Sequence, residues 1–411
     1  MRYGSRITIL STVLMAVFVL AASSYAQVSP PVRDKILREA RELVKMGNRK
    51  AAIQRVEALY NQAPLDGAVV QSLASLLAES GDLERAKSVL TDYTSERGDD
   101  TKALSALASL QFRTGENAKA MAILDALVAR APNELWPYYA GLDVLTQNSM
   151  NEEVITHIRR ARRALGDSAL FAVEAAKVHR EMTRFGQATR EYLLAGTAKN
   201  MSAEIAADYI IGMARDDEAR PAVIAALEKA SSLPPFARAV SLSLGEVYLM
   251  DGDCGRALEM ISRLVDADPS NADALIMFAQ KASASGCFTE CARAYDLVLG
   301  GLDKEQKKAE YLVAKARCEE RAGMFDSALS TFDTVARDYG TFKYADEALM
   351  GRAEIFRSMG EIDRAIAEAG RVMGSGYSEN VLAAILFQGD CYILLDRLDD
   401  AFQTYDRVTT D

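Results

Sequence analysis

Glycine returns along this chain at nearly constant intervals, at Gly47, Gly81, Gly115, Gly252, Gly286, Gly323 and Gly360. Between Gly115 and Gly252 the same beat passes through Ser149, Thr183 and Asp217, and it ends at Asp396. The step from Gly47 to Gly81 is repeated unchanged as far as Asp217, and the steps after Gly286 are slightly longer. Five residues after each anchor stands a small residue: Ala52, Ala86, Ala120, Ala188, Ala222, Ala257, Cys291, Ala328, Ala365 and Ala401, with Val154 the exception. Seven residues before it stands another: Ala40, Ala74, Ala108, Ala176, Gly245, Ala279, Ala316, Ala353 and Gly389, with Leu142 and Ile210 the exceptions. Proline follows four of the anchors by seventeen residues, at Pro64, Pro132, Pro234 and Pro269. A period of this length restricts the chain to a stacked array in which each unit contacts only its neighbours.

Elementary stereochemistry assigns each position a task. A unit of about 34 residues holds two helices of three to four turns and two short turns. The anchor sits between the helices, where glycine accepts a left-handed backbone. The acid or Asn after it, as in Asp82 and Asn48, caps the second helix. The two small residues let the helices cross closely, and proline closes the second helix. Apolar residues at helical spacing, such as Leu73, Leu76 and Leu77, then Ala86, Val89 and Leu90, fill the rest. A composition 49% apolar but only 7% aromatic suits close packing of Ala- and Leu-rich helices.

These positions resemble the tetratricopeptide repeat: small residue, glycine, alanine, aromatic and proline at that family's spacing. Tyr192, Tyr295, Phe332 and Tyr405 supply the aromatic four residues after the alanine position. The resemblance covers residues 33–411 and implies an all-α, right-handed superhelical solenoid of antiparallel helix pairs, about eleven repeats long. Residues 33–132 hold the first three repeats, residues 133–235 the degenerate fourth to sixth, and residues 236–411 the seventh to eleventh. Asp216 to Ala239 carries three prolines and is a candidate hinge; a rigid irregular repeat is the other reading. The longer units after Gly286 look like those of exported members of the family that assist envelope assembly.

The N-terminus reads as a signal peptide over residues 1–26. MRYGSR supplies two arginines, ITILSTVLMAVFVLAA sixteen uncharged residues, and Ser24 and Ala26 a cleavage signature. The apolar run is short for a membrane span. The expected location is therefore the periplasm or cell envelope, with membrane contact only through the signal if it is retained. The formal net charge is -10 and no Lys/Arg block stands out, which argues against nucleic acid as a partner.

No catalytic constellation is found, so no enzyme, cofactor or metal is expected. Neither a phosphate loop, GxGxxG after a strand, nor a GxSxG elbow occurs. Of the two histidines, His179 falls where the family places a core aromatic, and His157 is expected near the surface. Asp251 and Asp253 in DGDC read as helix capping rather than a calcium loop. The five cysteines, Cys254, Cys287, Cys291, Cys318 and Cys391, all lie in the C-terminal half. In an oxidising compartment the expected bond joins Cys254 to Cys287 or Cys291, or closes within CFTEC; small apolar filler is the other reading.

What remains is surface. The resemblance implies a concave groove lined by the first helices. Family geometry places Arg41, Lys45, Gln71, Lys102, Phe112, Arg113, Trp136, Tyr139, Asp143, Lys177 and Arg180 there in the early repeats. In the late repeats it places Glu246, Gln280, Arg317, Arg321, Glu354, Arg357 and Asp390 there. The expected function is a non-enzymatic scaffold that binds a protein or peptide segment in this groove. The alternatives are a subunit of an outer-membrane assembly or polysaccharide-secretion machine, or self-assembly through the apolar face expected at the C-terminal end.

Overall fold

A computed structural model describes residues 28–199, 201–302, 304–341, 343–374 and 378–410. The expected signal peptide and its cleavage site lie outside the described residues. The described residues form 22 α-helices and no strand. In chain order they are Pro30–Lys45, Arg49–Tyr60, Gly67–Glu79, Leu83–Glu96, Thr101–Arg113, Asn117–Arg130, Trp136–Gln147, Asn151–Leu165, Ala172–Glu181, Phe185–Ala195 and Ala203–Ala214. There follow Arg220–Ala230, Ala237–Met250, Cys254–Ala267, Ala272–Ala284, Phe288–Leu299, Glu305–Arg321, Phe325–Asp338, Tyr344–Ser358, Ile362–Arg371, Ser378–Leu394 and Leu398–Thr410. Every anchor lies between the two helices of one pair, as a helical-hairpin solenoid requires. The chain divides into two compact units, one ending at Val178 and one beginning at His179. The segment Asp216 to Ala239 falls inside the second unit.

The turn at the anchor is set by its hydrogen bonds. Gly81 N–H donates to Ala78 O at 3.2 Å, and Asp82 N–H to Leu77 O at 2.9 Å. This crossed pair satisfies carbonyls left over at a helix end and needs a left-handed residue between them. Gly81 accordingly has φ 89°. The same pair forms at Ser149, from Ser149 N–H to Thr146 O and Met150 N–H to Leu145 O, both 3.0 Å. Ser149, Thr183 and Asp396 adopt φ 55°, 55° and 58°, so three side-chain-bearing residues take a backbone that glycine takes elsewhere. The caps follow: Asn48, Asp82 and Asp253 accept from Ala51, Arg85 and Arg256 N–H.

The small residues on both sides of the turns are buried, from Ala40 and Ala52 through Ala353 and Ala365. The Asp217 unit departs from the expected register. Asp217 is not left-handed, Ala222 is exposed, and Val223 takes the buried position, with Leu227 and Ala230 after it. A different turn, with Asp216 accepting from Glu218 N–H at 2.9 Å, starts the second helix one residue late. The longer period after Gly286 goes into the first helices. Glu305–Arg321 and Ser378–Leu394 have 17 residues, against 13 in Gly67–Glu79 and Thr101–Arg113.

Two disulfides join successive repeats of the second unit. Cys254 bonds Cys287, one of the expected pairs, with Cα atoms 5.8 Å apart. Cys291 does not pair with Cys254 or Cys287; it bonds Cys318, with Cα atoms 5.9 Å apart. Cys318 lies on the first helix of the next repeat, and that helix packs against the one carrying Cys291. Cys391 is a buried free thiol whose pKa burial raises.

Candidate interaction grooves

In the first unit, three successive first helices, Gly67–Glu79, Thr101–Arg113 and Trp136–Gln147, line an open groove of about 830 Å³. Its walls bring together Gln71, Lys102, Arg113 and Asp143, four of the residues assigned to the groove from sequence. Between them lie short polar side chains, Ser75, Ser105, Ser109 and Gln147, over Ala74, Ala78, Ala106 and Leu110. Asn148 anchors one side by donating Nδ2–H to Ser109 Oγ at 3.0 Å. Arg113 reaches Ala78 O at 3.5 Å, bridging two repeats. Among the described residues no carboxylate pairs with Lys102 or Arg113, so their charge faces the opening.

Several sequence-assigned residues lie elsewhere. Phe112 is buried, not in the groove. A phenylalanine at the groove edge gains about 2 kcal/mol by turning its ring inward, which outweighs its place in the register. Trp136 and Tyr139 are exposed but do not line this groove; the Tyr139 ring meets Phe171 edge-on at 4.9 Å. Arg41, Lys45, Lys177 and Arg180 are exposed on their helices.

The late arginines are occupied within the fold. Arg317 pairs with Glu320 at 3.0 Å and with Glu354 of the next repeat, and sits over the Phe332 ring. Arg321 lies over Phe288 and Arg357 over Phe387. Asp390 accepts from Tyr405 Oη at 2.6 Å, which helps push that phenol up to about 12. These groups tie neighbouring helices together. Glu246 lies instead in a second groove, among the first helices of the second unit.

The histidines are both buried. His157, expected near the surface, packs against Gly141, where an added Cβ would lie 2.5 Å from its Cε1. Its Nε2 is 3.0 Å from Tyr138 O, and burial lowers its pKa. The signal was available: this unit has Leu142 at the small position, and Gly141 beside it makes the room. At the C-terminal end Leu394, Leu398 and Phe402 are 63, 62 and 74% exposed. Among the described residues no group of three or more His, Cys, Asp or Glu side chains could hold a metal ion. No described helix is long and apolar enough to cross a membrane.

None of the curated proteins matches the chain. Among solved structures, a tetratricopeptide repeat protein from Parabacteroides merdae is 15% identical, with 69% of this chain and 98% of that one covered and a TM-score of 0.32. Yeast Tom70 is 14% identical over 92% of this chain and 91% of its own, with a TM-score of 0.27. The Cut9–Hcn1 complex is 14% identical over 93% of this chain and 87% of its own, with a TM-score of 0.29. One family model described as tetratricopeptide repeat matches residues 43–109 and 77–142, and a second matches 215–272 and 309–376. Together these matches span more than half of the sequence, and the chain belongs to the tetratricopeptide repeat proteins.

Proposed function

We propose that the chain is an exported, non-enzymatic scaffold of the cell envelope that holds a segment of a partner protein in the groove of its first helices. Tetratricopeptide repeats are protein-interaction modules, and proteins of this fold are typically scaffolds without catalysis. The observation that carries the proposal is the first-unit groove, where Lys102 and Arg113 form no ion pair among the described residues and outnumber the one lining acid, Asp143, beside polar side chains. Such a surface suits an acidic or polar segment, with affinity concentrated in the arginine contact. The basic, apolar and small-residue succession of residues 1–26 supports export. The two disulfides support an oxidising compartment.

The test is crosslinking in cells that export the full chain, comparing it with a Lys102→Glu, Arg113→Glu variant and with Trp136→Ala. One envelope protein captured by the parent, lost by the charge-reversed variant and kept by Trp136→Ala, is expected. Capture unchanged by charge reversal would rule out this groove. Capture of the chain alone would point to self-assembly through the exposed Leu394, Leu398 and Phe402 face.

A further inference from the structure

We infer that the second unit carries a separate binding groove of opposite preference, for a protein segment presenting apolar side chains flanked by lysine or arginine. The inference rests on the reading of first-helix grooves as binding faces, and it assigns the second groove its ligand chemistry. Three successive first helices, Ala203–Ala214, Ala237–Met250 and Ala272–Ala284, line a groove of about 620 Å³ that opens to solvent. The floor is apolar: Ala207, Ile211, Leu242, Leu249 and Phe278. The small position here is Gly245. A Cβ there would stand 3.0 Å from Ile261 Cδ1, so the glycine lets the first helix pack closely on Ile261 of the second, and both residues line the groove. Met277 is 47% exposed at one wall, an adaptable apolar contact left in water.

Charge selects the occupant. Four carboxylates, Glu204, Asp208, Glu246 and Asp273, line the groove against two cations, Arg238 and Lys281. Both cations are already neutralised. Arg238 binds Glu204 and, at 3.3 Å, Asp273, with Asn271 as a further acceptor; Lys281 binds Glu246 of the neighbouring repeat. The Arg238 contact holds Glu204 down to about 2, so it stays ionised. Asp208 is exposed and has no cation partner among the described residues. An apolar trough with a surplus of negative charge favours an apolar anchor between basic residues and repels an acidic one.

The probe is a fluorescein-labelled amphipathic peptide of about four turns, with leucines at helical spacing and lysines between them. Its control carries glutamate for every lysine. Binding to the full-length protein is read by anisotropy. The lysine peptide is expected to bind about tenfold or more tighter than the glutamate peptide. Asp208→Lys and Met277→Glu, both on exposed side chains, are each expected to weaken it about tenfold. The Lys102→Glu, Arg113→Glu variant should bind it unchanged. Helical circular dichroism and the melting transition verify that the variants fold. Equal binding of the two peptides, absence of binding, or indifference to both second-unit substitutions would overturn the inference. Loss confined to the Lys102→Glu, Arg113→Glu variant would also overturn it, while leaving the first groove as a binding site.

Discussion

The two grooves are built at the same repeat positions from opposite materials. Six residues before the anchor, the first groove has Ser75, Ser109 and Asp143, and the second has Ile211 and Glu246. Ten residues before it, Gln71 and Ser105 correspond to Ala207 and Leu242. Both are lined by first helices whose core side obeys one pattern. The difference teaches that the repeat signature fixes the backbone and leaves recognition to a few groove positions. A second contrast runs beneath it: noncovalent packing joins the repeats around the first groove, whereas sulfur bonds reinforce those around the second.

Breaking that second contrast has the largest expected effect. Cys254→Ser with Cys287→Ser removes closure of a loop spanning 33 residues and should cost about 3–4 kcal/mol. In a solenoid the loss stays near the altered interface. Amide exchange should therefore quicken in Cys254–Ala267 while Gly67–Glu79 keeps its protection. Equal acceleration in both units would refute the local account.

The next test sharpens the comparison inside the first unit. Gly141→Ala forces a methyl group against the His157 ring and should destabilise by about 2 kcal/mol. His157→Ala in the same chain should recover part of that loss. A solvent-facing methyl at Gly81 meets nothing within 4 Å, so Gly81→Ala isolates the backbone cost of about 1 kcal/mol. Identical losses at the two glycines, measured by chemical denaturation, would show that the close contact at Gly141 relaxes freely.

The smallest effect carries the opposite sign. Ser149 holds a left-handed backbone without glycine's freedom, so Ser149→Gly should raise stability by up to about 1 kcal/mol. The gain is reduced by the extra entropy that glycine brings to the unfolded chain. A loss on substitution would mean that the serine side chain supports the turn in a way its backbone bonds do not reveal.

Much of the scaffold was legible before the structure, because a left-handed turn at each return of the beat leaves a residue-type signature. Even Ser149, Thr183 and Asp396 were placed correctly from the beat alone. Asp217 was not: its turn uses no left-handed residue, so nothing in the residue types marked the one-residue shift that buries Val223 in place of Ala222. Cys318 escaped because a cysteine within a helix carries no turn signal, and its partner is decided by which face meets the preceding repeat. The grooves were legible as positions and not as surfaces. Phe112 and Arg317 occupy groove positions in the register, yet ring burial turns one inward and Glu354 occupies the other. Lys102, Arg113 and Asp208 keep their charge available only because no neighbour of opposite sign reaches them, and a repeat pattern does not encode that.

The two sulfur bonds also change how the second unit carries a load. A stacked array pulled from its ends ordinarily lengthens one hairpin at a time. Here tension entering at Cys254 passes to Cys287 through one covalent shortcut, and tension entering at Cys291 passes to Cys318 through another. The shortcuts bypass 33 and 27 residues of chain, roughly 200 Å of contour at full extension. That length stays out of the stretched path while the bonds are oxidised. Reduction would release it, making the middle of this unit a stretch of tether whose reach is set by the redox state around it.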